Sequence, residues 1–352
     1  MFSPLKRLAF RKFRKAETRL HELNYLFWEC TSRCNLHCLH CGSDCHVASD
    51  HPDMPVEDFL RALDTIQKPA KNFIVALTGG EPLLRNDLET VGLEIRKRDM
   101  RWGMVSNGHL YDRERHISLL NAGMGALTIS VDGLEESHDW LRNKPGSFSR
   151  VDRAIELAAG TERLNFDIVT CVNRRNRKEL PAIYNYLNAK GVKAWRLFTI
   201  IPIGRAKENP ELNLTDREFK EMLDFIVERR KESGIDVKFS CEGYVGEYES
   251  KVRDIPFFCR AGINIGSILI DGSISACPNI DRSFIQGNIY SDNFYHIWQT
   301  KFTPFRNRSW NRKGPCADCK DYSECQGNGF HNWHGDKSAP LVCHQGKLKR
   351  VN

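Results

Sequence analysis

Residues 29–45 read ECTSRCNLHCLHCGSDC. The three inner cysteines of this stretch follow the spacing C-x3-C-x2-C: Cys34, Cys38 and Cys41. A cubane [4Fe–4S] cluster is normally held by four cysteine thiolates. A compact loop that supplies three thiolates therefore leaves one iron open to another molecule, which is the first indication of function.

A zinc site and a reactive dithiol are the alternative interpretations of these thiols. Zinc sites usually consist of two cysteine pairs, or of one pair with histidines, and three thiolates alone fit that pattern poorly. Three histidines beside the cysteines nevertheless keep zinc open: His37, His40 and His46.

A second motif, Thr78-Gly79-Gly80-Glu81-Pro82, follows the apolar run at residues 73–77. Alone, Gly-Gly beside Pro is a common turn sequence. Together, the cysteine loop and this motif resemble the signature of the radical S-adenosylmethionine (radical SAM) superfamily. In that family the loop follows the first strand and Gly-Gly-Glu-Pro follows the second. The resemblance favours an iron–sulfur cluster over zinc.

Length and composition indicate a globular protein with room for one large domain and a smaller one. The chain has 352 residues, of which 41% are hydrophobic and 28% are charged. No apolar run is long enough to predict a transmembrane helix, and the N-terminus lacks the apolar core of a secretory signal. Thirteen clustered cysteines without an export signal predict metal binding in the cytoplasm rather than disulfides.

The N-terminal extension, residues 1–22, carries much of the net charge of +7. Six cations alternate there with apolar residues: Lys6, Arg7, Arg11, Lys12, Arg14 and Lys15. This pattern is typical of a short amphipathic helix that touches a membrane surface or an acidic partner. The alternative is a solvated terminal helix packed loosely on the barrel. No base-stacking or groove-reading element accompanies the charge, so nucleic-acid binding is not predicted.

Between residues 23 and 235, short apolar runs alternate with amphipathic stretches. The runs predict strands buried on both faces, at residues 25–28, 73–77, 102–105, 127–131, 166–170 and 195–200. Helix starts are marked by Pro55, by Asp112 as an N-cap, and by a capping box of Thr215 with Glu218. Six strand–helix repeats predict an α/β fold, a partial (β/α)6 barrel two repeats short of a TIM barrel. The resemblance implies the same fold.

Catalytic groups of such folds lie at the carboxyl ends of the strands. Ser106-Asn107-Gly108 follows the third predicted strand, and Ser130-Val131-Asp132-Gly133 ends the fourth. Asn-Gly and Asp-Gly are also common turn sequences, so a turn without a role in the site is the alternative for these residues. After the sixth strand, residues 201–206 resemble the Pro-x-Gly-Arg stretch of the family, which puts Arg205 close to the cofactor. The alternative is a surface loop with a solvated arginine.

Six further cysteines occur in residues 236–352: Cys259, Cys277, Cys316, Cys319, Cys325 and Cys343. Their spacing resembles the SPASM domain, which follows radical SAM barrels and carries auxiliary [4Fe–4S] clusters. A predicted hairpin that turns at Asp271-Gly272 agrees with that domain. The last four cysteines make a complete four-thiolate set, for which a structural zinc site is the alternative.

The chain departs from the SPASM pattern at Gly329. In the family a cysteine stands there and binds a cluster with the counterparts of Cys259 and Cys277. One auxiliary cluster is therefore expected, and a second stays open. The groups that could complete the second are Cys241, His331, His334 or a ligand from the substrate.

The resemblance also implies the cofactor chemistry. Cys34, Cys38 and Cys41 hold a cluster that binds S-adenosylmethionine, whose cleavage gives a 5′-deoxyadenosyl radical that abstracts hydrogen from the substrate. A reductant such as flavodoxin or ferredoxin supplies the electron. The residues expected beside the cofactor are Gly79, Gly80, Glu81, Asn107, Ser130, Asp132 and Arg205. A general base is not assignable from the sequence.

Family members with this domain layout most often modify peptides or proteins, which is the substrate class that the resemblance implies. Sulfatase maturases have an aspartate directly after the counterpart of Cys277, and Pro278 stands here, which disfavours that activity. Two alternatives stay open: a radical SAM enzyme acting on a small molecule such as a tetrapyrrole side chain, and a non-catalytic metal-binding adaptor. The intact motif at Gly79-Gly80-Glu81 disfavours the adaptor.

Overall fold

The computed structural model describes residues 2–46, 51–66 and 69–351, which form ten strands and thirteen α-helices. The strands are β1 (Tyr25–Thr31), β2 (Ile74–Gly79), β3 (Arg101–Ser106), β4 (Met124–Ser130), β5 (Asn165–Val172), β6 (Ala194–Thr199), β7 (Asp236–Phe239), β8 (Ile265–Ile268), β9 (Ser273–Ser275) and β10 (Gly287–Asn288). The helices are α1 (Pro4–Leu20), α2 (Val56–Asp64), α3 (Leu88–Lys97), α4 (Arg113–Asn121), α5 (Glu135–Arg142), α6 (Ser147–Ala159), α7 (Leu180–Ala189), α8 (Asp216–Arg229), α9 (Glu249–Val252), α10 (Phe294–Thr300), α11 (Thr303–Arg306), α12 (Tyr322–Cys325) and α13 (His344–Lys349).

All ten strands belong to one sheet, in the order β10-β9-β8-β1-β2-β3-β4-β5-β6-β7. Neighbours from β8 across to β7 run parallel, and β9 and β10 add antiparallel pairs at one edge. The six predicted strands are confirmed as β1 to β6. A seventh parallel strand, β7, lies beyond residue 235, so the sheet continues past the point where we expected the barrel to end.

The central strands are buried because large apolar side chains cover both faces of the sheet. Trp28, Trp102 and Trp195 are each at most 1% exposed. The indole nitrogens of two of them are satisfied inside the core, Trp102 by the carbonyl of Ala122 and Trp195 by the hydroxyl of Thr170. This packed sheet holds the ends of β1 to β6 in fixed relative positions.

The predicted helix starts are confirmed. Asp112 caps α4 by accepting a hydrogen bond from the amide of Arg115, and Thr215 with Glu218 forms both bonds of a capping box at α8. Pro55 directly precedes α2. These caps fix where the helices begin relative to the strands that carry the loops.

The N-terminal helix packs on the C-terminal residues. Arg14 of α1 is buried and donates to the carbonyls of Ser323 and Glu324, and Phe10 contacts Phe258 edge-on. The predicted helix is thus present, with the C-terminal region as its packing partner. Within the described ranges, the chain has no helix long and apolar enough to cross a bilayer.

Candidate active site

The cysteine loop leaves the end of β1, and backbone hydrogen bonds close it on itself and tie it to two other segments. The amide of Cys34 donates to the carbonyl of His46 at 2.8 Å, and the amide of Leu39 donates to the carbonyl of Leu141 at the end of α5. The amide of Arg205 donates to the carbonyl of Cys41 at 3.0 Å. The loop therefore has a defined path between β1, α5 and the segment after β6.

The two glycines at the end of β2, Gly79 and Gly80, allow this loop to approach the sheet closely. A Cβ on Gly79 would lie 2.1 Å from the carbonyl oxygen of Thr31, and one on Gly80 would lie 2.0 Å from that of Arg33. Gly79 also has φ +134°, a conformation that favours glycine. The amide of Gly80 donates to the carbonyl of Thr31 at 2.8 Å. Glycine is required at both positions for the ends of β1 and β2 to meet.

Glu81 is completely buried and connects the ends of β2 and β3. Its carboxylate accepts hydrogen bonds from the amide of Leu83, the hydroxyl of Ser106 and the amide of Asn107, at 3.1, 2.8 and 2.7 Å. Burial raises the pKa of Glu81, whereas these three donors stabilise its charged form and so act in the opposite direction. Glu81 therefore supports the rim from within the protein rather than facing the space above it.

Two polar side chains approach the sulfurs of the cysteine loop. Nδ2 of Asn107 lies 3.9 Å from Sγ of Cys34 and donates to Oδ1 of Asn35 at 2.8 Å. Nη1 of Arg142, at the end of α5, lies 3.6 Å from Sγ of Cys38. Hydrogen bonds to cluster sulfurs are one of the means by which a protein sets cluster potentials. Asn107 was predicted at this rim, and Arg142 was not.

Asp132 lies at the end of β4 and is 0% exposed. Oδ2 is 2.6 Å from Nη2 of Arg142, and Oδ1 accepts from the amide of Cys171 at 2.7 Å. Burial opposes ionisation of this carboxyl, but the nearby Arg142 more than offsets it, so the pKa of Asp132 lies below its ordinary value. Both oxygens of the carboxylate thus face groups of the protein itself.

Histidine side chains around Asp132 are held neutral. Nδ1 of His138 accepts from the amide of Asp132 at 3.1 Å, and burial lowers the pKa of His138 to about 4. Nε2 of His40 lies 3.7 Å from Oδ2 of Asp132, and burial lowers the pKa of His40 to about 4 as well. Near neutral pH, Arg142 is therefore the cation that balances Asp132.

Arg205 is 8% exposed and holds the cysteine loop. Its Nε donates to the carbonyl of Cys38 at 2.8 Å, and its Nη1 donates to Oδ1 of Asp44 at 2.6 Å and to the carbonyl of Cys45 at 3.1 Å. Its side chain is thus neither solvated nor in a surface loop. The last predicted rim residue, Ser130, is partly buried at the end of β4, opposite Val169 of β5.

The three loop thiols differ in their tendency to ionise. Burial raises the pKa of Cys34 to about 11 and also raises the pKa of Cys38. A hydrogen bond from the thiol of Cys45 lowers the pKa of Cys41. Of the three thiols, Cys41 is therefore the one whose surroundings favour the thiolate.

One compact set of candidate ligands for a single metal ion lies around Asp132. Among the described residues, the one set of three or more candidate ligands whose atoms all lie within 4.8 Å of one another is His40, Asp132 and Cys171. The guanidinium of Arg142 beside Asp132 repels a cation there. No three thiols of the described residues meet this distance criterion.

The last four cysteines lie together. Burial, with added repulsion from the nearby thiols of Cys319 and Cys343, raises the pKa of Cys316 to about 11 and that of Cys325 to about 12. Sγ of Cys343 accepts a hydrogen bond from the amide of Gly346 at 3.3 Å. This donor set fits the predicted auxiliary cluster.

A second group consists of Cys241, Cys259 and Cys277. Burial raises the pKa of Cys277 to about 12, with added repulsion from Cys259 and Cys241, and Cys259 likewise raises the pKa of Cys241. At Gly329, a Cβ would lie 2.6 Å from Cε1 of His331. The space next to that glycine is thus filled by an imidazole ring. The pairing of Cys259 with Cys277 was predicted, and Cys241 was one of the candidates to join them.

Comparison with known proteins agrees with this geometry. The radical SAM superfamily model matches residues 28–187, and the iron–sulfur cluster-binding SPASM model matches residues 259–320. The AdoMet-dependent heme synthase of Oleidesulfovibrio alaskensis is 28% identical over 320 residues, which cover 85% of this chain and 81% of that protein. The mycofactocin maturase MftC of Mycolicibacterium smegmatis is 27% identical over 308 residues, 86% of this chain and 76% of that protein.

Solved structures show the same fold. AdoMet-bound anSMEcpe aligns with a TM-score of 0.73 at 20% identity, covering 93% of this chain and 95% of that chain. SuiB of Streptococcus suis bound to S-adenosylmethionine aligns with a TM-score of 0.71 at 13% identity, covering 99% and 84%. The likeness spans the partial barrel and the C-terminal residues together.

Proposed function

We propose that this chain, a radical SAM enzyme with a C-terminal SPASM domain, takes a hydrogen atom from a peptide or protein substrate and thereby modifies it. In this proposal residues 23–235 form the barrel, and residues 236–352 carry the auxiliary iron–sulfur site. When bound, a [4Fe–4S] cluster supplies the electron that cleaves S-adenosylmethionine into methionine and the 5′-deoxyadenosyl radical that takes the hydrogen. An external reductant such as flavodoxin or ferredoxin restores that electron.

The side chains of the site divide into ligands and positioning groups. Cys34, Cys38 and Cys41 hold the first cluster, and Gly79, Gly80, Asn107 and Ser130 line the rim where the cofactor binds. Three buried charged residues position this rim from behind: Glu81, Asp132 and Arg205. Cys316, Cys319, Cys325 and Cys343 hold one auxiliary cluster, and Cys259 with Cys277 forms part of a second cysteine site.

A cavity of about 310 Å³ lies between the end of β6, α8 and the C-terminal segment, and it is the candidate substrate space in this proposal. Thr199 and Ile200 line it from the end of β6, and Val342 and His344 line it from the C-terminal segment. Ile200 also belongs to an apolar cluster against which Leu39 of the cysteine loop packs. The volume of the cavity lies at the lower end of the range for small-molecule sites, which suits one amino-acid side chain better than a macrocycle.

Sequence relatives support two substrate classes. The similarity to the mycofactocin maturase supports the peptide proposal. A tetrapyrrole is the second candidate, because the AdoMet-dependent heme synthases match this chain at 26–28% identity over 85–89% of its length.

Deuterium transfer distinguishes the two classes. The reconstituted enzyme is incubated with unlabelled S-adenosylmethionine, reductant and either a perdeuterated peptide fraction from source cells grown in D₂O or deuterated iron coproporphyrin III. We expect deuterium in 5′-deoxyadenosine with the peptide fraction. Deuterium transfer from the porphyrin alone would contradict the peptide proposal and support the second candidate. The control is the same mixture with Cys34→Ala/Cys38→Ala/Cys41→Ala.

A further inference from the structure

Exposed apolar side chains are concentrated on the N-terminal helix. Nine large hydrophobic residues of the described chain are exposed, and four of them lie within the 17 residues of α1. These four are Leu5 at 78%, Leu8 at 52%, Phe13 at 42% and Leu20 at 65% exposure. Single exposed hydrophobics are ordinary, but a group on one element marks an interaction surface.

Three cations share this outward face. At 100° per residue, Lys12, Lys15 and Arg19 project on the same side as Leu5 and Leu8. All three are exposed, and within the described part of the chain their side chains make no hydrogen bond or ion pair. The opposite side of the helix is already occupied, since it carries the buried Phe10 and Arg14. The outward face is therefore not packed against the rest of the protein, and its charged side chains are cations.

A cationic cavity adjoins this face. A cavity of about 540 Å³ between α1 and the C-terminal residues is lined by six cations, of which Arg11 is paired with the carboxylate of Glu324: Arg11, Arg14, Lys15, Arg19, Arg306 and Arg308. The guanidiniums of Arg14, Arg306 and Arg308 donate to backbone carbonyls, and Nε of the buried Arg308 has no partner among the described residues. Lys15 and Arg19 belong to both surfaces, so the cavity attracts anions towards the helix.

We propose that the outward face of α1 binds an anionic phospholipid surface. Leu5 and Leu8 enter the boundary between headgroups and acyl chains, while Lys12, Lys15 and Arg19 contact the headgroup phosphates. Long lysine and arginine side chains next to Leu5 and Leu8 can keep their charges at the headgroups while their aliphatic stems lie along the apolar boundary. The buried centre of a protein–protein interface is instead depleted in lysine. This inference does not depend on the proposed substrate, because it concerns a different surface.

Vesicle sedimentation of the full reconstituted chain tests the proposal. The vesicles contain phosphatidylglycerol with phosphatidylcholine, or phosphatidylcholine alone. We expect binding to the anionic vesicles that weakens with salt. In Lys12→Gln/Lys15→Gln/Arg19→Gln the affinity is expected to fall about a hundredfold, at roughly fivefold per cation. In Leu5→Gln/Leu8→Gln it is expected to fall at least about tenfold.

Leu93→Gln/Ile117→Gln is the matched control, because these two hydrophobics are 50% and 49% exposed outside α1. It is expected to bind as the parent does, and equal thermal midpoints verify that all variants are folded. Absence of binding to anionic vesicles, or unchanged binding by both α1 variants, would overturn the proposal. Salt-sensitive binding to poly-L-glutamate without binding to vesicles would assign the face to an acidic protein, and would overturn it too.

Discussion

The guanidinium of Arg142 lies against the buried carboxylate of Asp132, with 2.6 Å between Nη2 and Oδ2. The same guanidinium reaches the sulfur of Cys38 through Nη1, so this ion pair joins the end of β4 to the cysteine loop. It connects the stability of the sheet rim with the position of one proposed cluster ligand.

Asp132→Asn is expected to destabilise the protein by about 3–5 kcal/mol, because it leaves the charge of Arg142 buried without a partner. Chemical denaturation measures the loss. The control is Glu136→Gln, which removes an exposed partner of Arg175 and is expected to cost less than about 1 kcal/mol. Equal effects of the two substitutions would show that the buried pair has no special role.

Stability is expected to depend on pH through His138, whose pKa burial lowers to about 4. An unfolded histidine titrates near 6.5, so the unfolded state gains protons first as the pH falls. The contribution of neutral His138 to the free energy of unfolding is complete above pH 6.5. It is lost as the pH falls from about 6.5 to about 4, and the loss amounts to up to about 3 kcal/mol. His138→Gln should flatten this part of the stability profile. The exposed His296→Gln is the control, and an unchanged slope in His138→Gln would refute the prediction.

Gly80→Ala is expected to displace the cysteine loop, because its Cβ would lie 2.0 Å from the carbonyl oxygen of Arg33. We expect a loss of about 3 kcal/mol or more in the free energy of unfolding. Gly125→Ala, whose Cβ would meet only the carbonyl of Trp102 at 3.9 Å, is the control and should be tolerated. Thermal and denaturant unfolding compare the two, and comparable stabilities would argue against the close approach of β1 and β2.

Arg205→Met is expected to loosen the cysteine loop, because it removes the donors to Cys38, Asp44 and Cys45 while keeping the apolar stem. After anaerobic reconstitution and buffer exchange, the variant should retain about four fewer irons per chain than the parent, the content of one cubane. Lys207→Met, in the same turn but exposed, should retain the full content. Full retention by Arg205→Met would mean that the loop holds its cluster without this residue.

Much of the fold was predictable because the parallel strands are buried on both faces, which leaves short uninterrupted apolar runs such as residues 73–77. Local capping signals were equally direct, since Thr215 with Glu218 needs only its own neighbours. The strand β7 was missed because it has four residues and alternates apolar with charged side chains, so it owes its place in the sheet to pairing with β6.

The candidate site was predictable where a motif carries its own spacing. Cys34, Cys38 and Cys41 lie on one loop, and Gly79 and Gly80 belong to one short motif, although the backbone contacts that require them reach Thr31 and Arg33 at the end of β1. Arg142 was missed because its partner is ten residues away on another element, and such pairing depends on how α5 packs against the sheet. Arg205 also differs from a solvated loop arginine, because its three side-chain hydrogen bonds are tertiary contacts that the sequence does not show.

The most direct test of the central claim is the iron and sulfide content of the anaerobically reconstituted chain, for the parent and for Cys34→Ala/Cys38→Ala/Cys41→Ala. We expect about eight irons in the parent and about four in the triple variant, because each cubane holds four irons. We also expect that the parent alone cleaves S-adenosylmethionine under strong reductant. About twelve irons would mean that the site at Cys241, Cys259 and Cys277 is also filled. Iron near zero, with zinc bound instead and no cleavage, would contradict the account.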